Sequence, residues 1–227
     1  GESYSKLMTV YHIGRENADI IIEPVYAGYY STFKISDIDC DGNNDILSMK
    51  YATAGNTAEY TAALLSYGKN GISERGSFVL DNSISSVAAV NFDFSESENI
   101  KRVYVDAYKV DGGMTTDCFF WKTQKNDFER YYAAGTTVGA VSSRISSVLC
   151  SDINSDGIIE VPTERFLPNI SDTDNSSPNV IRNDYLGQSL INWVTVSESS
   201  VDTVESHIIM SQYGYSFKFS EKWLGKV

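Results

Sequence analysis

Two short runs of oxygen-bearing side chains are the part of this sequence best suited to chemistry. Aspartates stand at loop positions 1, 3, 5 and 9 of the first run, and Asp, Asn, Asp and Glu take the same places in the second. Calcium binds about six to eight oxygen ligands, and alternate residues of a tight loop can direct their oxygens to one centre. We therefore predict two calcium sites, formed by Asp37, Asp39, Asp41, Asn43 and Asp45 and by Asp152, Asn154, Asp156, Ile158 and Glu160.

The remaining loop positions fit this prediction. Glycine at position 6, which is Gly42 or Gly157, allows the sharp backbone turn that other residues resist. Position 7 contributes only its main-chain carbonyl, so Ile158 is as suitable there as Asn43. The alternative is a solvated turn, because Asp and Gly dominate turns, but two copies in register favour calcium. The loop that begins at Asp37 is the stronger candidate, since it carries four carboxylates.

Neither run is an EF-hand loop. That motif requires a bidentate Glu at position 12, whereas position 12 is Ser48 in the first run and Thr163 in the second. Dockerin-type loops are excluded for the same reason. Residues 31–35 and 46–51, which flank the first run, are typical of strands rather than helices. The first run is therefore expected to connect two strands.

The two runs also mark an internal repeat. Residues 31–37 align with residues 146–152, and a further copy lies between them at 85–91. We interpret the middle copy as a decayed one that keeps the apolar strand and has lost the metal, because Glu96 stands where the glycine belongs. The copies are separated by 54 and 61 residues, and the oxygen-bearing positions of the middle loop are Asn91, Asp93, Ser95, Ser97 and Asn99.

Each interval contains several short alternating or aromatic-rich segments that predict strands. Four strands in roughly 40–60 residues is the size of one propeller blade. We predict an all-β fold, a β-propeller-like array of four-stranded antiparallel blades, with a β-sandwich carrying decorated hairpins as the alternative. The segments are residues 45–51, 57–66 and 71–79, then 101–108, 117–124 and 128–133, then 158–166, 191–197, 206–213 and 215–220.

The repeats are expected to form one propeller-like domain that spans residues 1–227. Residues 7–13 and 19–22 predict the last two strands of an earlier blade. The array then holds about three and a half blades, whereas closure usually needs about four or more. We therefore expect a fragment, or a chain whose partner strands lie outside it. The predicted repeats are 1–24, which is half a blade, 25–80, 81–140 and 141–227.

The loops and the repeat length resemble the FG-GAP/VCBS repeats of integrin-α-type β-propellers. The resemblance rests on residues 37–45 and 152–160, each preceded by an apolar segment. The whole chain is also similar to the repeat-bearing, often lipid-anchored surface proteins of Gram-positive gut bacteria. The resemblance implies that the loop calcium is structural and holds the hairpin between the first two strands of a blade. It implies no catalytic residue.

Charge and composition restrict the partners. The chain has 18 basic and 30 acidic residues, a formal net charge of −12, which disfavours nucleic acid. No apolar segment approaches the ~20 residues that span a bilayer, so membrane insertion is not expected. An acidic surface with weak calcium sites suits an extracellular or cell-surface setting, where modules bind calcium with a Kd on the order of 10⁻⁴–10⁻³ M.

The cysteines and histidines do not indicate a disulfide framework or a catalytic site. Cys40, Cys118 and Cys150 are odd in number, and at least two are expected to be buried as small hydrophobic residues. His12 and His207 each lie in a strand-like segment. The sequence contains no Gly-x-Ser-x-Gly elbow, phosphate-binding glycine loop or dinucleotide fingerprint. Paired carboxylates for glycoside hydrolysis stay open, since 30 acids allow many pairs.

Aromatic pairs and one polar segment are the candidate contact surfaces. The aromatics form either a sugar- or protein-binding platform or, more commonly, the packing between blades. Residues 169–179, with Asp172, Asp174 and Pro178, are a polar loop that carries specificity or is a disordered insertion. The aromatic groups are Tyr29 and Tyr30, Phe119, Phe120 and Trp121, and Tyr131 and Tyr132.

We therefore predict a non-catalytic, calcium-stabilised propeller segment of a secreted or cell-surface bacterial protein that presents a face for protein or glycan binding. One alternative is an accessory part of an extracellular carbohydrate-active enzyme. The other alternative is a structural spacer. Binding of glycans without their hydrolysis would favour the non-catalytic binding segment over the accessory part of an enzyme.

Overall fold

The computed structural model describes residues 6–54, 57–69, 71–166, 188–210, 214–220 and 222. Over these residues the protein is all-β, as predicted, with a single four-residue helix. The strands form three four-stranded antiparallel sheets and two two-stranded ones. None of the described helical residues forms a helix that is long and apolar enough to cross a membrane. The predicted polar loop at residues 169–179 lies outside the described residues.

The chain begins with a long hairpin that pairs β1 (Lys6–Glu16) with β2 (Asp19–Tyr30). Asn17 and Ala18 form its turn, both with positive φ, of 50° and 76°. A two-residue turn of this kind matches the right-handed twist of the strands that it joins. The predicted strands at 7–13 and 19–22 are confirmed, and β2 continues beyond the predicted repeat boundary at residue 24.

Each four-stranded sheet is a simple meander in which strands that follow one another in sequence are neighbours. The first sheet contains β3 (Thr32–Ser36), β4 (Asp45–Ala54), β5 (Thr57–Gly68) and β6 (Gly71–Val79). The second contains β7 (Ile84–Ser95), β8 (Ile100–Lys109), β9 (Met114–Lys122) and β10 (Asp127–Arg130). The third contains β13 (Val161–Phe166), β14 (Gln188–Val196), β15 (Val201–Met210) and β16 (Tyr215–Lys218).

A short connection joins the second sheet to the third. It pairs β11 (Tyr132–Ala133) with β12 (Thr136–Thr137) and continues into the helix α1 (Val138–Val141). The Thr137 side chain caps the helix by accepting a hydrogen bond from the Ala140 N–H at 3.2 Å.

The expectation of a continuous strand at residues 128–133 is wrong. Tyr131 lies at the point where the pairing partner changes, because β10 pairs with β9 whereas β11 pairs with β12. The segment is therefore divided between β10 and β11.

The expectation of a strand before Asp152 is also wrong. Residues 146–150 form no strand, and only Ser151 bridges Glu160. Side chains of other segments occupy the backbone groups that a strand partner would use. The Cys150 N–H donates to Asp106 at 2.8 Å, the Cys150 carbonyl accepts from Asn91 at 3.1 Å, and the Ser146 N–H donates to Glu164 at 3.1 Å. These side-chain contacts replace the predicted ladder.

The decayed loop at Asn91–Asn99 is a third correction. β7 runs through Asn91 and Asp93 as far as Ser95, which pairs with Ile100, so only a tight turn remains between β7 and β8. The strand continues because the side chains at positions 91 and 93 have partners in the protein. Asn91 binds the Cys150 carbonyl, and Asp93 binds Arg102 through both carboxylate oxygens at 2.8 Å.

Two hydrophobic cores lie on opposite faces of the second sheet. Alternate residues of β8 point to opposite faces, so that Val103 and Val105 lie in the first core, whereas Tyr104 lies in the second. The first core joins these residues to the first sheet, with Phe78 stacked on Phe119 at a centroid distance of 4.5 Å. The second core joins Tyr104 and the residues on its side of the second sheet to the third sheet. The second sheet is thus buried on both faces.

Burial on both faces encloses two ion pairs. Arg102 forms a bidentate pair with Asp93 and donates to the Val196 carbonyl at 2.7 Å. Arg144 and Asp106 meet at 2.7 Å with both side chains 0% exposed. Such pairs are stable only when their other hydrogen-bonding groups are also satisfied. Asp106 satisfies this condition, since it also accepts from Thr116 Oγ1 at 2.5 Å and from the Cys150 N–H at 2.8 Å.

Loss of the second ion pair should strongly destabilise the fold. Arg144→Ala leaves the Asp106 carboxylate buried without its charge partner, which costs about 3–5 kcal/mol of the free energy of unfolding. Urea denaturation followed by tryptophan fluorescence measures this loss. Lys109→Ala is the control, because it removes an ion pair with the exposed Asp111, which contributes at most about 1 kcal/mol. Equal losses in the two variants would contradict a structural role for Arg144.

Candidate metal centre

The two predicted calcium loops occupy equivalent places in the backbone. The first loop, residues 37–45, connects β3 to β4, and the second, residues 152–160, leads into β13. Each is closed by an antiparallel pair just outside position 1, Ser36 with Asp45 in the first loop and Ser151 with Glu160 in the second. The second loop therefore keeps the closing pair although the strand before it is missing.

Two positions in each loop have a left-handed backbone. The predicted glycine turn is confirmed, with φ of 92° at Gly42 and 87° at Gly157. A Cβ at either glycine would meet no atom within 4 Å, so the backbone conformation favours glycine there, not a lack of space. Position 4 was not anticipated: Cys40 and Ser155 also have positive φ, of 59° and 64°.

The loops share the same set of five internal hydrogen bonds. The side chain at position 1 accepts from the N–H groups at positions 5 and 6, position 3 accepts from position 5, position 5 from position 7, and position 9 from position 2. In the first loop the acceptors are Asp37 (3.0 and 3.1 Å), Asp39 (3.2 Å), Asp41 (2.8 Å) and Asp45 (3.0 Å). In the second they are Asp152 (3.1 and 2.9 Å), Asn154 (3.0 Å), Asp156 (2.8 Å) and Glu160 (2.9 Å).

The first loop brings three carboxylates together. One oxygen each of Asp37, Asp39 and Asp45 lies within 4.8 Å of the others, and among the described residues this is the one group of three His, Cys, Asp or Glu side chains with metal-ligand spacing. Asp41 is exposed and lies outside this group. Its Oδ1 accepts from the N–H and the side-chain amide of Asn43, at 2.8 and 3.0 Å.

Arg75 of β6 is a neighbour of the first loop that the sequence did not predict. It forms an ion pair with Asp39, donates to Asn126 Oδ1 at 2.6 Å and lies 5.2 Å from the ring centroid of Trp121. The guanidinium offsets part of the loop charge. A cation at this site would either share Asp39 with Arg75 or displace the Arg75 guanidinium from Asp39.

Asp45 is the most enclosed carboxylate of the first loop. It is 3% exposed, and its Oδ1 accepts from the Ser66 hydroxyl at 2.5 Å. Burial raises the pKa of the Asp45 carboxyl above its usual range, while the hydrogen bonds from Ser66 and Ile38 oppose this shift. A bound cation would favour the ionised form and so offset the effect of burial.

Glu160 of the second loop has an oxygen without a partner. The residue is 0% exposed, its Oε2 accepts from the Ile153 N–H, and its Oε1 is buried with no hydrogen bond. Burial raises the pKa of the Glu160 carboxyl, and the nearby Asp156 and Asp152 raise it further. A buried, unsatisfied carboxylate oxygen is unfavourable in the absence of a compensating group. A cation would supply that group.

The donor atoms in both loops suit a hard cation. Every predicted ligand offers oxygen, from its side chain or, at position 7, from its main-chain carbonyl, and calcium prefers oxygen over nitrogen and sulfur. The one thiol in the first loop, Cys40, is exposed and does not belong to the group of three clustered carboxylates. Asp37, Asp39 and Asp45 therefore fit a hard cation such as calcium, whereas Asp41 lies outside their cluster. The second loop, whose residues are all described, does not bring Asp152, Asp156 and Glu160 within the same spacing.

Comparisons of the chain with models of protein families, with curated proteins and with solved structures found no match. The site is thus defined by its own geometry, which consists of two loops with one hydrogen-bond pattern, three clustered carboxylates in the first and a buried carboxylate in the second.

The cysteines are placed as expected. Cys118 and Cys150 are free and buried in the second core, which confirms the prediction that at least two of the cysteines are buried as small hydrophobic residues. Burial raises the pKa of both thiols well above the usual range. Neither thiol therefore has the lowered pKa that reactive cysteines show.

The aromatic candidates and the histidines are divided between core and surface. Phe119, Trp121 and Tyr131 are buried, whereas Tyr29 and Tyr132 are more than half exposed. The predicted aromatics thus contribute mainly to packing between sheets. His12 stacks on Tyr67, and His207 lies 2.9 Å from Glu205.

A cleft of about 360 Å³ lies beside the first loop. It is bounded by the loop on one side and by the turn between β7 and β8 on the other. Lys101 spans the two, since it follows that turn and donates to Ser36 Oγ at 3.0 Å. The charged and polar residues that line the cleft include Asp39, Asp41, Arg75, Asn99 and Lys101.

Asp45→Asn should reveal the effect of burial on this carboxyl. Because its pKa is raised in the folded state, the folded protein holds the proton more tightly than the unfolded chain does. The carboxyl therefore lowers stability as the pH rises through and above about 4, the ordinary pKa of Asp. In calcium-free buffer, the melting temperature of the variant should rise relative to that of the original protein as the pH increases from about 4 to about 7.

Asp111→Asn, on the exposed surface, is the matched control and should not show this gain. Thermal melts at a series of pH values measure both variants. The raised pKa of Asp45 would be contradicted if the melting temperature of Asp45→Asn, relative to that of the original protein, stayed constant or fell with rising pH.

Proposed function

We propose that this chain is a non-catalytic, calcium-stabilised segment of a β-propeller from a secreted or cell-surface bacterial protein, and that it presents a face for protein or glycan binding. The observation that carries the proposal is the repetition of one loop structure. Both loops have the same antiparallel closing pair, the same two positions with positive φ and the same five internal hydrogen bonds, although they are far apart in sequence. Two independent turns would not be expected to coincide in all three respects.

The sheets support the propeller part of the proposal. Three consecutive four-stranded meanders pack in sequence order, with one core between the first and second sheets and another between the second and third. Consecutive four-stranded antiparallel sheets are the building units of propellers. The loops, together with this arrangement, are the features that resemble FG-GAP/VCBS repeats, in which calcium has a structural role.

The charge of the chain supports the calcium part. Seven of the 30 acidic residues belong to the two loops, and the carboxylates within one loop repel one another unless counter-charges balance them. Two divalent ions would offset about four charges. In the first loop calcium would bring together the ends of β3 and β4, and in the second it would hold Glu160 at the start of β13.

Calcium should therefore stabilise the folded protein. A ligand that binds only the folded state, with a Kd on the order of 10⁻⁴–10⁻³ M, adds about 1.4–2.7 kcal/mol per site at about 10 mM calcium. This corresponds to a rise in melting temperature of roughly 3–10 °C for a chain of this size. Asp39→Ala with Asp41→Ala should remove the part of the rise that comes from the first loop, and Glu160→Gln the part from the second.

Differential scanning fluorimetry with calcium and with chelator measures these shifts. Asp111→Ala is the control, because it removes an exposed carboxylate outside the loops. Glu160→Gln should in addition be no less stable than the original protein in chelator, since it removes a buried charge with an unpaired oxygen. A melting temperature that does not respond to chelator would exclude structural calcium.

We place the binding face at the cleft beside the first loop. Its volume is in the range of ligand sites, and its lining combines hydrogen-bonding groups with the aromatic ring of Trp121. Lys101→Met keeps the aliphatic stem but removes the charge and the hydrogen bond to Ser36. It should weaken binding on an array of defined glycans in calcium, whereas Lys34→Met, an exposed change on β3, should not.

The same array distinguishes the hypotheses. Glycans that are bound and left intact support a binding module, whereas hydrolysis of a bound glycan that depends on a carboxylate outside the loops supports the accessory part of an enzyme. If no glycan binds, the protein-binding form of the proposal or the structural spacer is left.

A further inference from the structure

The hairpin β1–β2 has an apolar face that nothing in the described structure covers. Six large side chains lie on it because strand residues two apart share a face and paired residues face the same side. The register pairs Leu7 with Tyr29 and Ile13 with Ile22, and Tyr11 and Ile20 continue the same rows. We call these six residues the hairpin face. Their exposed fractions are Leu7 63%, Tyr11 54%, Ile13 69%, Ile20 64%, Ile22 61% and Tyr29 65%.

The opposite side of the hairpin packs on the first sheet. Val25 lies against Gly71, where an added Cβ would come within 3.3 Å of the Val25 carbonyl, and His12 stacks on Tyr67. Even so, no residue from 6 to 30 is fully buried. A two-stranded hairpin is at best marginally stable in water without a covered face. Contacts on one side alone therefore leave this long hairpin poorly supported.

The hairpin face carries little charge. Arg15 is the one charged residue in its rows, while the other charged residues of the two strands alternate to the opposite side. An apolar surface without interspersed charge favours another apolar surface over a highly charged partner. The residues that alternate away are Lys6, Glu16, Asp19 and Glu23.

The size of the hairpin face fits a protein interface. With roughly 200 Å² for each fully exposed large side chain, six that are more than half exposed present on the order of 700 Å². This exceeds the largest apolar patch of a typical monomer, about 300–600 Å². It is close to the ~800 Å² that each partner contributes to a stable interface.

We propose that two copies of this chain associate through the hairpin face about a twofold axis. A face that is mostly apolar can pack on its own copy, and twofold dimers need no second complementary surface. The two hairpins would form a sandwich of two two-stranded layers and bury the side chains that are now exposed.

The net charge predicts how salt affects this dimer. Two chains of charge −12 repel each other, while the interface itself contains little charge. Added salt screens the repulsion and leaves the apolar contact intact. Association should therefore strengthen as the salt concentration rises, whereas an interface held by ion pairs would weaken.

Sedimentation velocity tests the proposal on the full chain at roughly 10–100 µM, the range in which an interface of this size is occupied. The expected species has twice the monomer mass of 25.2 kDa. Ile13→Asp with Ile22→Asp should give a monomer. Ile13→Thr with Ile22→Thr should weaken the dimer while keeping the strand preference of a β-branched residue.

Val110→Asp with Ile145→Asp is the matched control, because these residues are 73% and 67% exposed and lie outside the hairpin. It should remain a dimer. Circular dichroism of every variant shows whether the sheets are retained. A monomer over the whole concentration range, including one whose hairpin face binds a different protein, would overturn the proposal. A folded threonine variant that dimerises as strongly as the original protein would overturn it too.

Discussion

Burial of the second sheet on both faces is the constraint on which the rest of this structure depends. β8 directs Val103 and Val105 into one core and Tyr104 into the other, so the neighbouring sheets must lie on opposite sides of it. Polar side chains in its rows are consequently enclosed as well. They are tolerated because they are paired, as Asp106 is with Arg144 and with the backbone of Cys150.

The two loops lie where sheets meet. The first contacts the second sheet through Arg75, which pairs with Asp39 and lies over Trp121 of β9. The second is held to the second sheet by the hydrogen bond from the Ile159 N–H to Asp93 at 3.0 Å. A change within either loop is therefore transmitted to an interface between sheets. This position explains how a small ion in a surface loop would stabilise more than the loop itself.

The loops show how far local sequence can predict a site. The hydrogen bonds within each loop join residues no more than seven positions apart, so the spacing of Asp, Asn and Gly was sufficient to predict the turn. Arg75 and Ser66 were not predicted, because they reach Asp39 and Asp45 from β6 and β5. No signal in the sequence near the loop marks either residue. The sequence also could not predict that Glu160 Oε1 is buried without a hydrogen bond, since burial depends on the neighbouring sheets.

The sequence by itself determined the all-β class, most strand positions and the turns of both loops, because alternation and glycine placement act over a few residues. Tertiary structure decided where that pattern failed. Residues 146–150 have a strand-like composition, yet Asp106 and Asn91 hold their backbone in place of a neighbouring strand. Asn91 and Asp93 have a loop-like composition, yet they lie in β7. Strand pairing requires partners distant in sequence, and buried polar side chains can supply or remove those partners.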